Sequence, residues 1–271
     1  MSFFNKVVDD MVNEKVPRKK RKRLIILIAL LTLLSMTTST VAWFRINTFS
    51  GVDTLDLHIS VSAQLKVSME DFGTDLEKYG KVITNEMIDG YLTKYDTNLE
   101  EIILDPVTTS DGVRFVNQRG SAREPNNRSY LEFDCFFIAT EDMWVHLTTE
   151  STEAGNDDGT KVWTESTGIQ ADVVNCTRVG FQSENDTQSA IYEPNRGTPV
   201  SGQSTFDLPS GTMVYSNSTR LFHLNAMEPT MVTIRLWIDG EDPQCDDDVQ
   251  DSHLGVQLSF IGCDDNNVPI S

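Results

Sequence analysis

Catalytic signatures are the first thing this sequence lacks. It contains no HExxH, no GxSxG and no glycine-rich phosphate loop, which leaves zinc-peptidase, hydrolase and nucleotide chemistry without a motif to rest on. Its four histidines, His58, His146, His223 and His253, stand singly, and the two on strand-like stretches, His58 and His146, read as satisfied or solvent-facing. The four cysteines, Cys135, Cys176, Cys245 and Cys263, form no CxxC pair and no Cys/His cluster, so zinc is not indicated. Basic clusters are absent beyond residue 23. Residues 1–23 hold eight Lys or Arg against three Asp or Glu; the total formal charge is −19, so the rest of the chain carries −24. That sign excludes nucleic acid and anionic lipid as partners of the acidic part, because phosphate contacts need clustered Lys and Arg. No internal repeat is present, and long apolar runs are missing everywhere except at one place.

That place follows six contiguous cations, Arg18 to Arg23, and runs from Leu24 to Phe44 without a charged side chain. About 20 helical residues at about 1.5 Å each cross the hydrocarbon core, and the preceding cations hold that end in the cytoplasm. Two readings compete. The strongly apolar part, Leu24 to Leu34, is of signal-peptide length, and Thr40 and Ala42 place small residues three and one positions before a cut between Ala42 and Trp43. The alternative is an uncut transmembrane anchor. Both export the remainder to the cell surface or extracellular matrix. The division expected is a cytoplasmic basic region at 1–23, a signal peptide or transmembrane helix at 24–44, and an extracytoplasmic domain at 45–271.

Within that domain the clearest pattern is strict period two: Leu55, Leu57, Ile59, Val61, Ala63, Leu65, Val67 and Met69 alternate with polar residues. One face is therefore buried and one wet, and the length predicts a bend into two strands. Residues 74–104 carry apolar side chains at spacings of three and four and read as a helical insertion. A short strand near 113–116 is expected, then strands at 130–138, 143–149, 161–165, 171–182, 212–215, 221–224, 231–238 and 254–260, with long loops over 183–220. The class is all-β with minor helices: a jelly-roll-like β-sandwich behind the N-terminal helix. An even cysteine count permits disulfides in an exported chain, and spacing does not choose among the three pairings or against buried free thiols. If 232–238 and 254–260 form a hairpin, Cys245 lies in its loop and Cys263 beyond its other end, which makes that bridge awkward.

The sharpest chemical feature is the acidic stretch 239–251. Asp239, Glu241, Asp242, Asp246, Asp247 and Asp248 are a candidate calcium set, since that ion takes six to eight oxygens, although the EF-hand spacing is absent. A solvated acidic loop is the other reading. Sequons at Asn127, Asn175, Asn185 and Asn217 are expected by chance in a chain rich in Asn, Ser and Thr.

Thr40-Val41-Ala42-Trp43-Phe44 followed by the long alternating strand, Leu104-Asp105-Pro106-Val107-Thr108 with Asp111-Gly112, the strand Tyr130-Leu131-Glu132-Phe133-Asp134, and Trp237-Ile238-Asp239-Gly240-Glu241-Asp242-Pro243-Gln244-Cys245 together resemble Gram-positive exported proteins of the TasA and camelysin group. The likeness is to its uncharacterised Firmicutes relatives rather than to TasA itself. The resemblance implies a jelly-roll domain, cleavage after Ala42 by a specialised signal peptidase, and surface or biofilm-matrix fibres in which an N-terminal strand completes the sheet of the next subunit. A long basic N-terminus and four cysteines depart from that pattern. The function expected is thus non-enzymatic: a structural or adhesive envelope subunit that associates with itself, Leu55, Leu57, Ile59 and Val61 marking the donor strand. A membrane-anchored binding module that takes calcium through 239–251 is the alternative, and a surface hydrolase a more distant one.

Overall fold

The alternation that begins near residue 54 folds as two strands meeting at a corner, as the sequence predicts: β1 (Val52–Val61) and β2 (Leu65–Ser68). The computed structural model describes residues 52–152, 159–195, 204–245 and 252–270. Ala42, Trp43, the apolar segment and the basic region lie outside them, as do Asp246, Asp247 and Asp248. No helix among the described residues is long and apolar enough to cross a membrane.

After β2 come β3 (Val82–Ile83), α1 (Asn85–Leu92) and single 3-10 turns at Leu76–Lys78, Thr93–Tyr95 and Leu99–Glu101. Asp96, which follows the second of these turns, lies in the left-handed region, φ 55°. The apolar stripe of α1 brings Ile88 and Leu92 into the core at 0% exposure. Then follow β4 (Tyr130–Ala139), β5 (Met143–Leu147), β6 (Lys161–Trp163), the one-turn α2 (Val173–Cys176), β7 (Thr177–Ser183), β8 (Ala190–Tyr192), β9 (Thr205–Phe206), β10 (Arg220–Leu224), β11 (Thr230–Ile238) and β12 (Ser252–Cys263).

The described residues are mostly β, in two mixed sheets. One runs β10-β5-β12-β1-β3, with β6 also on β12; the other runs β2-β4-β11-β7-β8-β9. Their apolar faces share one core, to which Leu57 and Ile59, Phe133 and Phe137, Ile234 and Leu236, and Val256 and Leu258 all belong. Alternation sets the pairing: Leu55, Leu57, Ile59 and Val61 of β1 lie beside Leu254, Val256, Leu258 and Phe260 of β12 in parallel register. A one-residue slip would turn the whole apolar set to the other face. On the far side of β11, Trp237 and Tyr130 of β4 are covered by Phe115, which stacks on Tyr130 with centroids 4.1 Å apart, and by Val107. Across β12, Trp163 lies flat on Gly255, where a Cβ would sit 2.1 Å from the indole; only glycine fits there.

Five expectations are corrected. Residues 173–176 form α2 rather than the start of a strand, since Val173 and Cys176 sit three apart on a buried face and the Thr177 hydroxyl donates to Val173 O at 2.8 Å. Residues 113–116 make bridges, Thr108 to Val116 and Val116 to Ala122, but no strand, because the Asp111 carboxylate accepts the N–H groups of Val113 and Arg114. Residues 212–215 pair with no strand among the described residues; they are held by side chains instead, Met213 buried and the Tyr215 hydroxyl 2.8 Å from that of Thr148. Finally, β11 and β12 are not a hairpin: each belongs to a different sheet, so the acidic segment crosses from one sheet to the other. The stretch expected to be long loops contains β8 and β9, which extend the second sheet.

Candidate functional site

Two features could act on a partner: the edge of β1 and the acidic turn after β11. β1 is the first strand among the described residues, yet it pairs with the last, β12, over Val52 to Val61. A parallel pair needs a crossover rather than a tight turn. Its only described chain connection to the fold is therefore the corner at 62–64. That corner is pinned by the Lys81 ammonium, which donates to the carbonyls of Ser62 at 2.8 Å, Leu65 at 2.7 Å, and Ala63.

On its other side β1 pairs with β3 at Ile59 and Ser60, and the Val61 N–H donates to Lys81 O at 3.0 Å just ahead of β3. Ahead of Ile59 a side chain stands in for a strand: Asn85, at the start of α1, accepts the Leu57 N–H through Oδ1 at 2.9 Å and donates from Nδ2 to Asp56 Oδ1 at 3.1 Å. Edge strands are commonly closed in such ways, because open backbone groups template pairing with another chain. Beside Asn85 lies a groove of about 410 Å³ lined by Asp56, Leu57, His58, Thr84, Asn85, Glu86 and Trp163. His253 sits 3.3 Å from Asp56, and burial lowers the pKa of His58. The candidate donor residues Leu55, Leu57, Ile59 and Val61 are exposed by no more than 4%; they fill the core of their own subunit. Replacing Asn85 with alanine is expected to cost about 1 kcal/mol through the lost hydrogen bond to Leu57. The same change bares the edge, so sedimentation at raised concentration should show more self-association than the parent protein.

The acidic turn is folded tightly. Asp239 N–H donates to Cys176 O at 2.9 Å, Asp242 N–H to Asp239 O at 3.2 Å, and Cys245 N–H to Asp242 O at 2.9 Å. The Asp239 and Asp242 carboxylates also cap the N–H groups of Glu241 and Gln244. At its centre lies a residue that the sequence does not single out, Arg178 of β7, whose side chain is 0% exposed. Its guanidinium donates to Asp242 Oδ2 at 2.6 Å, Glu193 Oε1 at 3.0 Å, Asn175 O at 2.7 Å and Thr177 O at 3.0 Å, with Asp239 Oδ2 3.8 Å away. Glu193 is fixed further by the Thr205 hydroxyl at 2.5 Å. Of the six calcium candidates, Asp239 and Asp242 thus face a guanidinium, Glu241 is exposed, and the other three lie outside the described residues. Among the described residues no group of three His, Cys, Asp or Glu side chains could hold a metal ion.

Arg178 is hidden from sequence reasoning because β7 alternates: Arg178, Gly180 and Gln182 read as a wet face. The turn after β11 and the Glu193 segment cover Arg178 on that face. Elsewhere, His146 is wholly buried in β5, with Nδ1 3.2 Å from the Thr219 hydroxyl. His223 lies edge-on to Trp144.

No family model matches the chain, and no curated protein or solved structure matches it either.

Proposed function

We propose that this protein is an exported, non-enzymatic subunit of the cell envelope, a jelly-roll-type domain that assembles with copies of itself by exchanging β1. The observation that carries the reading is the parallel pairing of β1 with β12. A first strand joined to the body by one corner, and paired on its free side over two residues, can leave its sheet and take the same place in a neighbour. The strand meets the same residues in either subunit, so exchange costs little beyond opening the corner, and repetition head to tail makes a fibre. Export follows from the cations and apolar run at 18–44, and release by cleavage between Ala42 and Trp43 would free the strand from the membrane.

The test uses two single variants. His58 and Gln257 are partners across the β1 and β12 pair, on the outer face of the sheet. A His58→Cys chain mixed with a Gln257→Cys chain is expected, after assembly and mild oxidation, to give a covalent dimer on non-reducing gels that neither chain gives alone. Assembled protein without that dimer sinks the exchange model.

A further inference from the structure

We propose that Cys176 and Cys245 are joined by a disulfide that clamps the acidic turn to the start of β7, while Cys135 and Cys263 remain thiols. The fold brings the first pair together. Cys176 ends α2, and its carbonyl accepts the Asp239 N–H where the acidic turn begins; two successive backbone hydrogen bonds then curl the turn back so that Cys245 closes it. Both side chains sit in the main core as free thiols, at 0% and 8% exposure; the Cys176 thiol donates to Asp172 O at 3.3 Å, and Cys245 is the neighbour that acts on it most strongly. That neighbour, followed by burial, pushes the Cys176 thiol far above its ordinary value, so this is not a reactive thiolate awaiting a substrate. Among the described residues the other two have no cysteine neighbour of this kind: Cys135 Sγ lies 3.8 Å from Met69 Sδ, and Cys263 stands near the end of β12 beside Trp144 of β5. Of the three possible pairings, geometry selects one bond and leaves two cysteines unpaired.

The oxidant is an organic or protein disulfide. One cysteine thiolate attacks it, forming a mixed disulfide and expelling one thiol. The second cysteine attacks the protein sulfur of that mixed disulfide, forming the Cys176–Cys245 bond and expelling the second thiol. Two protein thiols are oxidised and one disulfide is reduced to two thiols. Since both cysteines are buried, the exchange accompanies folding. In cells its persistence rests on the export proposed above, because the cytoplasm keeps such bonds open.

The full chain, held in detergent, is refolded from the reduced state with oxidised and reduced glutathione. Remaining thiols are then blocked with N-ethylmaleimide under denaturing conditions and the digest is mapped by mass. The expected map shows one bridged pair, Cys176 with Cys245, and alkylated Cys135 and Cys263. Dithiothreitol should lower the Tm by about 10 °C, as expected for a bridge closing a loop of about 70 residues. The same reductant should leave a Cys176→Ala/Cys245→Ala variant unmoved. Four alkylated cysteines, or a bridge through Cys135 or Cys263, overturns the proposal. Protein taken from cells with an acid quench separates the two readings: a bond that forms on refolding but is missing in cells upholds the pairing and removes export.

Discussion

Replacing Arg178 with methionine is expected to destabilise the domain by about 3–5 kcal/mol, the usual cost of leaving buried charges without their partner. The volume is nearly kept, so the loss is electrostatic. The guanidinium faces Glu193, Asp239 and Asp242, and no exposed group stands among them: the four side chains are exposed by 0%, 3%, 0% and 7%. Without it, each carboxylate must be stranded in the interior or take up a proton. A fall in Tm of about 10–15 °C is anticipated for a domain of this size. Adding Glu193→Gln and Asp242→Asn to Arg178→Met should recover part of that loss, since the triple variant buries fewer uncompensated charges. A simple sum of the separate losses would show that the ion pairs are not coupled. The acidic turn, which by composition invites a cation from solvent, is to this extent supplied with one by β7.

Acid should unfold the protein earlier than its carboxylates alone would require. Burial, with a smaller push from the Arg220 charge, lowers the pKa of His146 from 6.5 to about 4. The unfolded chain therefore takes up the proton first as the pH falls. The stability that neutral His146 contributes is complete above about pH 6.5, declines below it, and is gone near pH 4, with a total change of about 3 kcal/mol. Denaturant titrations between pH 7 and 4 should trace that slope, and His146→Gln should flatten most of it; His58, whose pKa is also lowered by burial, leaves a smaller residue. An unchanged slope in the glutamine variant would place the acid sensitivity elsewhere. Asp111 enters only at lower pH. Burial alone would raise its pKa, but the N–H groups of Arg114 and Val113 and the Arg114 guanidinium hold it at about 2.

Much of the β framework is legible in the sequence because its signal is local. A strand half buried in a sheet must alternate, and β1 and β2 do so along their length and β4 and β11 over their first halves; the bend between β1 and β2 is legible from length alone. The reading fails where the deciding contact lies far away in sequence. Residues 171–176 read as strand because Val173 and Val174 favour it, but Cys176 and Val173 share a buried face only as a helical turn. The strands β8 and β9 are three and two residues long, too short for any period, and exist because β7 offers β8 an edge and β8 in turn offers one to β9. Residues 212–215 alternate as a strand should and have no partner among the described residues.

The candidate site divides in the same way. By itself the sequence determined the sign and placement of charge, the apolar run before Trp43, and the alternating face of β1, because each is a property of consecutive residues. Only the tertiary structure decided that β1 lies parallel to β12, that Asn85 closes its edge, that Arg178 faces Asp239, Asp242 and Glu193, and that Cys176 and Cys245 share one core. Arg178 and Asp242 are 64 positions apart, and Asn85 and Leu57 are 28 apart. No periodicity spans such gaps. They close only when two sheets bury a common apolar face, and the polar groups carried inside with it must then find partners there.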